Sequence, residues 1–270
     1  MIHPTAIIHP TAQLDPSAEV GPFCVIDAHV IVGPNCRLGP YVHLTGHTIL
    51  GAGNRLHAGC VLGDAPQDLK YGDAPTRLRI GDHNIFREQV TIHRSNQVEE
   101  DTVIGSHCFF MAHSHVGHNA RVGNHAIIAN GVAVAGHAIV EDRAFISGNC
   151  LVHQFCRVGT LALMQGGSAI SKDLPPYTIA RGDNGMCGLN VVGLRRAGFT
   201  NEQRLELKRL YHLLFRSGLP LKKAIARARP EFPGTAAAVL LDFLATSKRG
   251  IVTDTGRRGT ANRVDAADSE

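Results

Sequence analysis

A step of six residues organises the first two thirds of this chain. Counting in sixes from Ile2 to Ile170 visits 29 positions, of which 27 hold a large apolar residue; only Asp68 and Ala74 break the series. Helix faces repeat about every 3.6 residues and strand faces about every 2, so neither element alone produces this ruler. Short strands joined at regular corners do, and a hexapeptide period is the signature of a parallel β-helix. Three hexapeptides make one triangular coil, so residues 18 apart should stack at the strand spacing of ~4.8 Å.

Two further phases support the reading. The position four after the ruler residue is small or slim (Ala6, Ala12, Ala18, Cys24, later Ala120, Ala126, Ala138), as a narrow interior requires. Six of the seven cysteines (Cys24, Cys36, Cys60, Cys108, Cys150, Cys156) share that phase, which makes them small buried hydrophobes rather than ligands or nucleophiles. The position after the ruler residue is often glycine, as at Gly21, Gly33, Gly105 and Gly123, and is expected to serve the bends. Residues 64–79 and 94–103 are more polar but keep the frame, so each is expected to loop out of one coil, where binding groups tend to sit.

The β-helix is expected to span residues 1–175 and to end at Pro175-Pro176, followed by a helical region over 176–250. Thr200 and Gln203 form a capping box for a first helix, a second runs about 220–229 before Pro230, and a third about 234–248. Residues 251–270 lack periodicity and read as a disordered tail. Residues 181–250 hold 13 Lys or Arg against 5 Asp or Glu, which reads either as solvated helical faces or as a docking surface for an acidic macromolecule or a phosphorylated ligand, whereas the chain's net charge of +4 is too slight to indicate nucleic acid. No apolar run is long enough to span a bilayer and the N-terminus lacks a secretory pattern, so a cytoplasmic location is expected.

The chain has 16 histidines, and most fall on the surface and turns without an evident task. One group differs. Stacking by 18 puts His118, Gly136 and Gln154 on one column, with His137 and His153 beside it and His115 on the coil of His118. An imidazole is a suitable general base near neutral pH, and a backbone N–H such as that of Gly136 can hold an oxyanion. Ser114 and Cys108 lie at the interior phase, so direct transfer is expected rather than a covalent intermediate. His113 and His118 have a spacing used by metal hydratases, but stepping back 36 gives Arg77 and Asp82, and no metal is expected.

The hexapeptide pattern resembles the left-handed β-helix acyltransferases, which implies the hand of the coil and a homotrimer with sites between neighbouring prisms. More specific strings are Gln67-Asp68-Leu69-Lys70-Tyr71, Val90-Thr91-Ile92-His93-Arg94, His115-Val116-Gly117-His118, Val152-His153-Gln154-Phe155-Cys156, Asp173-Leu174-Pro175-Pro176-Tyr177 and Asn190-Val191-Val192-Gly193-Leu194-Arg195-Arg196. With these the chain resembles the UDP-N-acetylglucosamine O-acyltransferases of lipid A biosynthesis. The resemblance implies catalysis by His118 and Gly136, and contacts to the sugar nucleotide or acyl donor from Asp68, Lys70, His115, His137, His153 and Gln154. It implies nucleotide contacts from Asn190 and Arg196 and a chain-length role for Gly166. It also implies acyl carrier protein and UDP-N-acetylglucosamine as partners, with no cofactor beyond the phosphopantetheine that carries the acyl group. An N-acyltransferase of the same pathway, or a coenzyme A-dependent acetyltransferase, is the alternative. Asn119 stands where the family often has aspartate after the histidine, and Val192 where it often has glutamate.

Overall fold

The computed structural model describes residues 1–256. From Ile7–Ile8 to Ala169–Ile170 the chain makes 25 strands, most of two residues. They fall into three parallel sheets, and each strand pairs with the third one on in sequence. The sheets are the three faces of a prism, a parallel β-helix. Ruler residues fill its axis: Ile26, Leu44, Leu62, Ile92 and Ile128 are buried, and the slim phase, from Cys24 and Val42 to Ala126, closes in around them. Burying each large side chain contributes about 1.5–3 kcal/mol, so the repeat supplies its own stability coil by coil.

The corners differ from the expectation. Positive φ falls three residues after the ruler position, and six of the sixteen histidines (His29, His83, His107, His113, His125, His137) sit there with φ of 55–64°. Histidine and asparagine enter the left-handed region more readily than most residues, so part of the histidine surplus is conformational. Of the glycines after the ruler residue only Gly63, where the first loop leaves the prism, is at positive φ; Gly21, Gly33, Gly105 and Gly123 are not. They let coils approach: a methyl on Gly105 would lie 2.7 Å from the carbonyl carbon of Gly123.

The two interruptions are measured by the strand register. Val61 pairs with Thr91, 30 residues on instead of 18, and Thr91 pairs with His115, 24 on. The first loop therefore adds two hexapeptides and the second adds one. Val98, a ruler residue by count, rides on the second loop and is 41% exposed. A uniform step of 36 back from the histidines also misses the column, which runs from His115 through Thr91 to Val61.

The prism does not stop at the double proline. Thr178–Ala180 continues one face by pairing with Leu163–Met164, and Gly185–Leu189 returns antiparallel to it. Four helices follow: α1 (Val191–Arg196), α2 (Asn201–Phe215), α3 (Leu221–Glu231) and α4 (Thr235–Ala245). The Thr200–Gln203 capping box starts α2, while α1 was not foreseen and Pro230 lies inside the last turn of α3. Part of the expected tail is structured, because Thr253–Asp254 pairs beside Gly185–Met186 and Asp254 accepts from Arg216 Nε at 2.6 Å. The rest of that tail, 257–270, lies outside the described residues. No helix among the described residues is long and apolar enough to cross a membrane.

The slim-phase cysteines are all buried, and burial pushes the thiols of Cys60 and Cys108 up to about 12 and about 11. The S–H groups of Cys24, Cys36, Cys60, Cys108 and Cys150 point at carbonyls, as Cys24 does at Gly39 O (3.0 Å). Since thiolate is the reactive form, a disulfide-exchange reagent should modify Cys187 alone in the native protein and all seven cysteines in denaturant. Rapid native labelling of more than one thiol would contradict this packing.

Candidate active site

Three layers of the molecule meet at His118. Its own coil carries His115, whose Nδ1 shares a hydrogen bond with Thr91 Oγ1 at 2.8 Å. The next coil brings Gly136 and His137, with the His137 ring edge-on to His118 at 5.2 Å. The two loops bring the rest. Arg94 binds the first loop to the second, donating to Gly63 O (2.9 Å) and Tyr71 Oη (3.2 Å). Asn96 Nδ2 donates to Asp68 Oδ2 at 2.9 Å, and Lys70 N–H donates to the other Asp68 oxygen at 3.0 Å. These bonds hold Asp68 below the usual carboxylate range, with the Lys70 N–H the largest cause and the His118 charge a smaller one.

The tautomer of His118 follows from its neighbours. Asn119 Oδ1 accepts from the backbone N–H of Asn96 (3.0 Å), which can only donate. Asn119 Nδ2 faces the Glu100 carboxylate (3.1 Å), which can only accept, and Ser95 Oγ (2.8 Å), whose own hydrogen goes to Gln97 O. The amide orientation is thus fixed by chemistry. Asn119 Oδ1 also lies 2.9 Å from His118 Nδ1, so that nitrogen carries the proton and Nε2 presents its lone pair.

Nε2 points at Gly136. A methyl group there would lie 2.8 Å from Nε2, so glycine leaves the ring its position. On another edge of the prism the N–H groups at this phase are capped from the following coil: Ala52 by Asp82, Asp82 by Ser106, Ser106 by Asn124 and Asn124 by Asp142, at 2.7–2.9 Å. The Gly136 N–H donates to no group among the described residues. A bare donor beside a bare lone pair can hold an oxyanion while the base takes a proton. From Ala135 an apolar groove of about 490 Å³ runs along Ala133, Leu151, Ala169 and Ile170.

Known proteins have the same organisation. A family model described as UDP N-acetylglucosamine O-acyltransferase, domain 2, matches residues 173–252, and a bacterial transferase hexapeptide model matches 29–64 and 101–136. An acyl-[acyl-carrier-protein]–UDP-N-acetylglucosamine O-acyltransferase of Halorhodospira halophila is 41% identical over 254 residues, covering 93% of this chain and 98% of that one. One from Anaeromyxobacter sp. is 47% identical over 209 residues, covering 76% and 81%. This chain belongs to that family. The solved UDP-N-acetylglucosamine acyltransferase of Francisella novicida superposes with TM-score 0.91 at 36% identity over the whole of both chains. That of Bacteroides fragilis does so with 0.90 at 38%, covering 93% of this chain and all of the other. A coil of the opposite hand could not superpose this well, so the left hand implied by the resemblance stands.

Within this member of the acyltransferase family the expected residues divide. His118, Gly136, His115, His137 and Asp68 gather, and Lys70 lies exposed beside Asp68 on the loop. His153 and Gln154 are exposed one coil on, with His153 Nδ1 near Gln154 O (3.1 Å) and Arg249 (3.5 Å). No hydrogen bond or ring contact among the described residues links Gly166, Asn190 or Arg196 to His118. Asn190 instead caps α1, accepting from Gly193 N–H at 2.9 Å, and donates to Leu161 O. Ser95, Asn96, Glu100 and Thr102, which surround Asn119, were missed. The only signal for them was the polar run that breaks the repeat at 94–103.

The histidines around His118 stay neutral near pH 7. Burial, then the charges of His93 and His118, pushes His115 down to about 4, and burial lowers His93 and His137. As pH falls through 6.5 the unfolded chain therefore takes up protons that the folded His115 refuses. Stability from this site is complete above pH 6.5 and is lost progressively down to about 4. Tm should fall across that window, and His115→Gln should flatten the fall; an unaltered slope would mean that His115 titrates normally.

Proposed function

We propose that this chain transfers a 3-hydroxyacyl group from acyl carrier protein to the glucosamine 3-hydroxyl of UDP-N-acetylglucosamine, the first step of lipid A biosynthesis. The observation that carries the reading is the unencumbered Nε2 of His118 next to the unbonded Gly136 N–H. His118 Nε2 takes the proton of the 3-hydroxyl as its oxygen attacks the thioester carbonyl. The Gly136 N–H stabilises the oxyanion. As the C–S bond breaks, His118 returns the proton to the phosphopantetheine thiol, so acyl group and proton both balance. Asp68, Lys70, His115, His137, His153 and Gln154 hold the sugar nucleotide and the donor, and the groove beyond Ala135 takes the acyl chain. Gly166, Asn190 and Arg196 serve a site shared with a neighbouring protomer of a trimer, Gly166 at the chain's far end and the other two at the nucleotide. Exposed cations of the helical region, among them Arg195, Lys222 and Lys223, suit the acidic carrier protein.

The test offers purified protein UDP-N-acetylglucosamine with carrier proteins bearing 3-hydroxyacyl chains of several lengths, and follows products by mass spectrometry. An O-acylated sugar nucleotide from the carrier-protein donor is expected. Exclusive use of coenzyme A thioesters, or acylation only of a 3-amino sugar nucleotide, would overturn the assignment.

A further inference from the structure

We infer that Glu100 is a positioning residue for His118, acting through Asn119, and that it is the reason asparagine rather than aspartate stands at 119. The inference rests on the reading of His118 as the base. A carboxylate directly behind a catalytic imidazole fixes its tautomer and stabilises the imidazolium that forms in the reaction. Asn119 does the first through Oδ1 but has no charge for the second. The charge stands one group further out, since Glu100 Oε2 accepts from Asn119 Nδ2 at 3.1 Å and polarises the amide toward His118.

The rest of the setting makes the relay specific. Asn119 is 5% exposed, its backbone N–H donates to the buried Thr102 hydroxyl at 2.7 Å, and its side chain uses every donor and acceptor. An aspartate here would turn one oxygen toward the Glu100 carboxylate, and two carboxylates at that range cannot both ionise freely. The other groups facing His118 are Asp68 on the first loop, His93 on the preceding coil, His115 on its own coil and His137 on the next. Asp68 spends its oxygens on Asn96 and Lys70 and is not hydrogen-bonded to the His118 ring. Glu100 is the carboxylate that accepts directly from the side-chain amide bonded to that ring, whereas Asp68 reaches the same amide only through Asn96.

The test is a double-mutant cycle in the full-length protein, read by kcat, KM and their pH profiles, with His118 followed by NMR titration. Glu100 is exposed, so Glu100→Gln should leave Tm unchanged. It should lower kcat roughly tenfold with KM unaltered, and move the acid limb of the profile and the His118 titration downward together. Asn119→Asp should lose roughly a hundredfold, because the pair must hold a proton. The double variant, in which the glutamine amide donates to the new aspartate, should recover to within about threefold of the parent, a large departure from additivity. An Asn119→Asp variant as active as the parent, a Glu100→Gln variant with unchanged kcat and titration, or a double variant no better than the poorer single one would overturn the inference. Turnover retained in His118→Ala would instead defeat the reading of the base itself.

Discussion

Replacing His118 with alanine is expected to lower kcat/KM by roughly 10²–10⁴-fold, the usual span for a positioned general base. The loss should appear in kcat, since the ring acts on the proton in flight and the nucleotide is held by other groups. The side chain is half-buried at a corner and fills no part of the prism axis, so Tm and oligomeric state should be retained. That separation gives the measurement its force. A variant that folds and turns over normally would remove the base from the mechanism, whatever the family resemblance. His118→Gln should be nearly as poor, because the amide can keep the bond to Asn119 but offers no basic nitrogen.

The second large effect is expected from a single methyl group. In Gly136→Ala the new carbon would lie 2.8 Å from His118 Nε2 and 2.9 Å from Cε1, closer than such atoms pack. The ring must rotate off the amide of Asn119 or be pushed away from the incoming hydroxyl, and a displacement near 1 Å costs on the order of 10²-fold in rate. Gly136 is not at positive φ, so backbone strain does not contribute and the fold should survive. Gly63 makes the contrast: at φ +88° its added methyl would meet Thr48 Oγ1 at 1.9 Å, and Gly63→Ala should be destabilised instead. Full activity in a folded Gly136→Ala protein would mean that the imidazole reaches substrate from another side.

What the sequence made legible follows the repeat. Wherever the ruler runs unbroken, stacking by 18 places residues correctly, which is why His118, Gly136 and His137 come together as counted. Periodicity carries no information where it stops. Ser95, Asn96 and Glu100 reach Asn119 only because a loop folds back, and Val98 kept the count while leaving the core. Glycine was legible in position but not in purpose, since Gly105 serves contact between coils and not a turn. The strand at Thr253–Asp254 has no pattern of its own; it is held by its pairing with Gly185–Met186 and by Arg216, partners far away in sequence.

The two loops lengthen their coils by twelve and by six residues, as the pairings of Val61 with Thr91 and of Thr91 with His115 require. On this scaffold insertions are quantised. Adding one hexapeptide hands every later residue to the next face, unless a loop absorbs it, and adding three moves it one storey along the axis. A length that is not a multiple of six is a frameshift written in the fold instead of the gene, turning Val116, Val122 and Ile128 out of the prism together unless a loop absorbs it. A loop graft of six or twelve residues at Asp64 or Arg94 should be accepted, whereas one of four or eight should have to hide its surplus outside the wall or cost the protein every coil beyond it.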